Sequence, residues 1–140
     1  FMTNWALGHT DRFAAGVTMR SVVNWLSDFG SGDFGFMDDE MFGGALPWRD
    51  PEAYLRTSPI RYVEYIQAPL LIIHSENDYR CPIEQGEQLF AALKKLGRTV
   101  RFVRYPGESH ELSRSGKPWH RVDRLERITG WFTQYLRSER

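Results

Sequence analysis

APLLIIHSENDYRCPIEQGEQLFAALKKLGRTVRFVRYPGESH, residues 68–110, decides the fold. Its first seven residues, Ala68 to His74, are apolar through the middle rather than alternating. That is the mark of a strand covered on both faces. Pro82 opens a helix whose Leu89, Phe90, Leu93 and Leu96 form one apolar stripe, ended by Gly97. Thr99 to Tyr105 (TVRFVRY) is β-rich, and Pro106-Gly107 turns the chain after it. Strand, helix and strand in that order imply a parallel pair joined by a crossover helix. The fold class is α/β, with helices covering a parallel sheet.

The flanks extend this pattern in both directions. Residues 2–9 suit a helix with Met2, Trp5, Ala6 and His9 on one face, and Phe13 to Met19 (FAAGVTM) suits a further buried strand. From Ser27 to Trp48 the periodicity dissolves into Gly, Asp and Phe, as in functional loops that carry short helices. Asp50-Pro51 starts a helix running towards Arg56, which Ser58-Pro59 stops. Arg121 to Leu136 sets Val122, Leu125, Ile128, Phe132 and Leu136 at helical spacing, a closing amphipathic helix. The sum is three parallel strands where a sheet usually has about five or six. A half-domain with an unpaired sheet edge is therefore expected.

Composition excludes more than it selects. The chain of 140 residues is 41% hydrophobic and 26% charged, with 18 basic and 18 acidic residues, a globular profile. Zero net charge argues against broad electrostatic binding to nucleic acid or an anionic membrane surface. The longest apolar run, Ala68 to Ile73, is far too short to span a bilayer. The single cysteine, Cys81, excludes an internal disulfide framework and fits a reducing, cytoplasmic setting. Aromatic residues reach 14%, five of them Trp, which points to a dense core or aromatic-lined pockets.

In open α/β sheets, catalytic groups collect at the carboxyl ends of the strands. Two loops leave such ends: His74-Ser75-Glu76-Asn77-Asp78-Tyr79-Arg80, and Pro106-Gly107-Glu108-Ser109-His110-Glu111. If the strands are neighbours, Asp78 can meet His110, in the acid-then-histidine order of an α/β-hydrolase triad. Two plainer readings stand beside this one. Asp78 lies four residues before Pro82 and also suits a loop anchor, and His110 alone is an ordinary loop histidine. His74 reads as a hydrogen-bonded core histidine; His9 and His120 carry no partner pattern. Asp28-Phe29-Gly30 and Asp33-Phe34-Gly35 spell a kinase tripeptide without its other motifs. The acidic cluster Asp33, Asp38, Asp39 and Glu40 lacks calcium-loop spacing and reads as a solvated loop. Cys81 reads as a buried structural thiol rather than a nucleophile. The basic run Arg114, Lys117, Arg121, Arg124 and Arg127 is interrupted by acids and reads as a solvated face or a subunit contact.

Four segments carry a family resemblance: FMTNWALGHTDRFAAGV, RSVVNW, HSENDYRCPIEQGEQLF and YPGESHELSRSGKPWHR. They resemble the C-terminal part of the catalytic domain of the prolyl oligopeptidase family of serine peptidases, in its acylaminoacyl-peptidase branch. The resemblance implies an α/β-hydrolase fold, with Asp78 as the triad acid and His110 as the base. It implies a hydrophobic pocket for the residue on the acyl side of the scissile bond. Val22 and Trp25 match its lining, Phe34 and Phe36 match it more loosely, and plain core packing is the alternative for the first two. No cofactor and no metal are implied. The partners implied are a short peptide substrate and the remainder of the catalytic domain, and a homo-oligomer is left open.

The family's nucleophile sits in a Gly-x-Ser-x-Gly-Gly elbow that directly precedes the Phe-Met-Thr segment. None of Ser21, Ser27, Ser31, Ser58, Ser75, Ser109, Ser113, Ser115 or Ser138 lies in such an elbow. The resemblance therefore places the nucleophile, the oxyanion donors and the family's β-propeller outside residues 1–140, and a chain inactive by itself is expected. An esterase-like or a non-catalytic α/β-hydrolase piece are the alternatives.

Overall fold

The structure is a computed structural model that describes residues 1–136, the side chain of Asp38 excepted. Three parallel strands form one sheet: β1 (Gly16–Met19), β2 (Leu70–Ser75) and β3 (Val100–Tyr105), in that spatial order. Leu70 stands opposite Gly16 on one side and Val100 on the other, and Ser75 stands opposite Tyr105. The helices are α1 (Met2–Leu7), α2 (Trp25–Ser31), α3 (Pro51–Leu55), α4 (Ile83–Lys95), α5 (Leu112–Ser115) and α6 (Pro118–Leu136). Two 3-10 helices, Gly35–Phe42 and Pro59–Tyr65, complete the elements among the described residues.

The central strand is where the continuous apolar run has its effect. Every residue of β2 is buried. Leu70 and Ile72 join a core with Leu7, Val23, Ile66, Leu89 and Leu93, while Leu71 and Ile73 join another with Ala15, Tyr105, Leu112 and Trp131. Strand geometry sends successive side chains to opposite faces, so a strand with helices on both sides needs apolar residues at every position. This is the α/β architecture read from residues 68–110. The close fit of α4 depends on Gly86, where a Cβ would stand 3.0 Å from His74 Nδ1 and 3.1 Å from the Phe102 ring.

The outer elements depart from the sequence reading. The strand expected from Phe13 starts only at Gly16, and Phe13 is exposed. Helix α1 ends at Leu7 and buries Asn4 and Leu7 rather than the Met2 face; the Asn4 amide donates to Ser21 Oγ at 2.8 Å. Leu96 lies beyond the end of α4 and is exposed. In α6, Val122, Leu125 and Leu136 are exposed, and burial falls to Trp131, with Ile128, Phe132 and Tyr135 packed against the same core. Helical periodicity shows that a stripe exists but not which part of it a short sheet can cover. No described helix is long and apolar enough to cross a membrane.

Candidate active site

Strands β2 and β3 are paired neighbours, so the loops leaving their carboxyl ends emerge side by side. The backbone couples them: Glu76 N–H donates to the Tyr105 carbonyl at 3.0 Å and Asn77 N–H to the Glu108 carbonyl at 2.9 Å. Gly107 makes the turn between them at φ +69°, a left-handed conformation that glycine adopts without cost.

Asp78 and His110 meet at this junction. His110 Nδ1 lies 3.0 Å from Asp78 Oδ1 and 2.9 Å from Oδ2. The carboxylate side chain is fully buried, whereas the imidazole is 26% exposed. A carboxylate only accepts, so the proton of this bond sits on Nδ1 and Nε2 is the ring nitrogen turned away from Asp78. The anchoring role weighed for Asp78 is filled by the same group: Oδ1 also accepts from Arg80 N–H at 3.1 Å and Cys81 N–H at 2.9 Å. The carboxylate thus fastens its own loop and orients the histidine at once.

Other side chains brace this pair. His74 is buried and donates from Nε2 to the Cys81 carbonyl at 2.7 Å, the core role read for it. Burial lowers its pKa, partly offset by that bond and by Asp78 3.7 Å away, which favours the uncharged ring. Cys81, read from the sequence as a buried thiol, is only partly buried; burial and then Asp78 push its pKa up to about 12. Two further supports carried no sequence signal. Glu108, two residues before His110, is buried, accepts from Lys117 N–H at 3.0 Å and meets His120 Nδ1 at 2.6 Å. Burial alone raises its pKa, but the bonds from His120 and Lys117 outweigh burial and hold the carboxyl below its ordinary value. The guanidinium of Arg20 donates to the His110 carbonyl at 2.8 Å. The pairing of Glu108 with His120 spans twelve residues and a turn, which no local pattern reveals.

The segment over residues 25–48, which carries α2 and the first 3-10 helix, docks beside the pair. Asp33 N–H donates to the Tyr79 carbonyl at 2.7 Å, and its carboxylate accepts from Arg80 Nε at 2.7 Å. Arg80 also lies over the Phe34 ring, 4.9 Å from its centroid. Asp33, Asn77, Tyr79, Arg80, Ser109 and His110 are among the residues lining a cleft of about 520 Å³ on this side. Val22 is buried. Trp25 packs against Phe1 and against Phe42, the latter 6.0 Å away between ring centroids, and Phe42 in turn lies against Tyr54 at 4.0 Å. Phe34 and Phe36 are exposed. The aromatic partner of Trp25 on this loop is therefore Phe42, which sequence reading did not single out. Among the described residues no group of three or more His, Cys, Asp and Glu is placed to hold a metal ion. Ser138 lies outside the described residues.

A parallel sheet flanked by helices, with an acid after one strand and a histidine after the next, defines an α/β-hydrolase fold. The chain belongs to the prolyl oligopeptidase family, whose pattern it matches over residues 1–139. It is 47% identical over 142 residues to the uncharacterized peptidase YuxL of Bacillus subtilis, covering 97% of this chain and 21% of that protein. It is 31% identical over 142 residues to dipeptidyl-peptidase 5 of Aspergillus oryzae, covering 96% of this chain and 18% of that one. Among solved structures, the acylaminoacyl peptidase of Pyrococcus horikoshii matches with a TM-score of 0.93 at 35% identity, over 100% of this chain and 23% of that chain. The chain spans about a fifth of the length of the curated relatives it matches.

Proposed function

We propose that residues 1–140 supply the acid and the base of a Ser-Asp-His triad in a serine peptidase. Its substrates are short peptides, from whose N-termini it removes acylated amino acids or dipeptides. The observation that carries this reading is the fully buried Asp78 carboxylate, with both oxygens within 3.0 Å of His110 Nδ1. With Nδ1 protonated, Nε2 takes the proton of the serine hydroxyl as that oxygen attacks the scissile carbonyl. It then passes the proton to the departing amine, leaving an acyl-enzyme. Water repeats the cycle and frees the acyl product. Asp78 keeps the imidazole in one tautomer and stabilises the imidazolium without taking its proton. The names of the relatives, a peptidase, a dipeptidyl-peptidase and an acylaminoacyl peptidase, support the substrate class.

Among the described residues no serine hydroxyl is hydrogen-bonded to His110, and the relatives are about five times as long as this chain. Both points support a nucleophile and oxyanion donors contributed from outside residues 1–140. Val22 and Trp25, with Phe34 and Phe36 from the loop, are the proposed wall for the residue on the acyl side of the scissile bond. The scheme needs no metal and no organic cofactor.

The test is made on the full-length protein. A fluorophosphonate probe should label it, and Asp78→Asn should lower kcat by about 10⁴-fold, as the comparable change does in chymotrypsin-type triads. Activity within a few-fold of wild type in that variant overturns the acid assignment. Turnover of p-nitrophenyl esters without turnover of acyl-amino-acid or dipeptidyl anilides makes the protein an esterase instead.

A further inference from the structure

At the carboxyl end of β1 the backbone adopts a conformation that long side chains avoid. Arg20 has φ +43°, the one positive φ at a non-glycine residue among the described residues. Left-handed backbone crowds the Cβ against the following carbonyl, and such strain persists only where the surroundings over-determine it. Two bonds do so here. Arg20 N–H donates to the Ile73 carbonyl at 3.1 Å, alongside the last register pair, Met19 with Ile73. The guanidinium donates through Nη1 to the backbone carbonyl of His110 at 2.8 Å.

The second bond crosses the sheet. In the order β1-β2-β3, the first and third strands do not touch. The Arg20 side chain nevertheless links the end of β1 to the loop that follows β3. Arg20, His74 and His110 are among the residues lining a cleft of about 290 Å³ at this end of the sheet. Glycine or asparagine would make the same turn with little strain, but neither reaches the His110 carbonyl. Asp78 holds the His110 ring at Nδ1, a bond about which the ring can still pivot. The Arg20 bond holds the main chain of the same residue, so His110 is fastened at both ends of its side chain.

We infer that Arg20 is a positioning residue for the His110 base, its strained backbone retained because its guanidinium fixes the main chain of His110 and so the direction of Nε2. The inference rests on the triad reading above.

The experiment compares Arg20→Gly, Arg20→Lys and His110→Ala in the full-length protein, with an N-acetyl-amino-acid p-nitroanilide as substrate. Glycine accepts φ +43° freely, so Arg20→Gly should melt at or above the wild-type temperature. A base misplaced by about 1 Å costs on the order of 10²-fold, so kcat should fall by about that factor with KM within about twofold. Arg20→Lys keeps one cationic donor and should recover about tenfold in kcat, and added guanidinium should raise kcat of Arg20→Gly while leaving the wild type unchanged. Should Arg20→Gly fail to fold, Arg20→Gln takes its place in the same comparison. The inference is overturned by kcat within about threefold of wild type in the glycine or glutamine variant, by a lysine variant no better than that one, or by a kcat loss that tracks a loss of melting temperature. Full turnover in His110→Ala sinks the triad reading and this inference together. An inactive His110→Ala beside an active Arg20→Gly sinks the inference alone.

Discussion

Burial and the neighbouring Asp78 carboxylate raise the Cys81 thiol from its ordinary 9.0 to about 12. The thiolate is the reactive form, so at pH 8.5 Cys81 should react with iodoacetamide about 10²–10³-fold more slowly than a free cysteine. Alkylation at the free-thiol rate would show that the group is not held in the loop. Between pH 9 and about 12 the unfolded thiol loses its proton while the folded one keeps it. The folded state then binds more protons, so stability falls as pH rises across that window. Cys81→Ala should flatten this decline in denaturant melts. Glu108 runs in the opposite sense. Its folded pKa lies below the ordinary 4.5, so its contribution is complete above that value and is lost as pH falls through the folded one. Urea melts should give Glu108→Gln a constant deficit near neutrality that shrinks below about pH 4.5. A deficit independent of pH would mean that the charge of Glu108 plays no part in holding the His110 loop.

Helix α4 does more than cover the sheet. From its first turn Gln85, fully buried, accepts from the backbone N–H groups of Val23 and Asn24, both at 2.8 Å. Its amide donates to the Asn24 carbonyl and to Ser27 Oγ. One side chain thus fastens the segment that carries Val22 and Trp25 to the helix that follows Asp78. Gln85→Met keeps the volume but leaves those two donors without an acceptor, at a cost of about 1–3 kcal/mol for each one left unpaired. The denaturation midpoint should fall with an unchanged m value. An unchanged midpoint would show that water or a rearranged loop satisfies both groups. The exposed Arg80–Asp33 ion pair next to this junction adds little, because water screens it. The Gln85 side chain and the Asp33–Tyr79 backbone bond hold the segment over residues 25–48.

On the scale of the whole molecule, the reading proposed above takes its serine from outside residues 1–140. The 140-residue chain prepared alone should therefore take no fluorophosphonate label, while the full-length protein takes about one equivalent, as a single activated serine requires. Stoichiometric labelling of the 140-residue chain would place a nucleophile among its own serines. Met2, Phe13, Met19, Val122 and Leu125 are exposed in this chain, and Met2 and Phe13 line one cleft with Ala15, Val17 and Phe132. The chain should bind a hydrophobic dye and self-associate as its concentration rises, and monomeric sedimentation at high concentration would contradict this.

The sequence by itself determined the layering. The unbroken apolar run of β2 demands cover on both faces, and the stripe of α4 supplies it on one, because strand and helix periods are local properties of the chain. The positions of Asp78 and His110 after β2 and β3 were legible for the same reason. Their meeting was not, since whether Asp78 anchors its own loop or orients a histidine depends on register and on atoms 32 residues away. Tertiary structure showed that it does both. It also shortened β1, moved the buried face of α6 to Trp131, gave Trp25 its contact with Phe42 and joined Glu108 to His120. Arg20 shows the limit most sharply. A positive φ and a hydrogen bond across 90 residues leave no trace in the composition of β1, because long-range contacts are set by packing and not by local propensity.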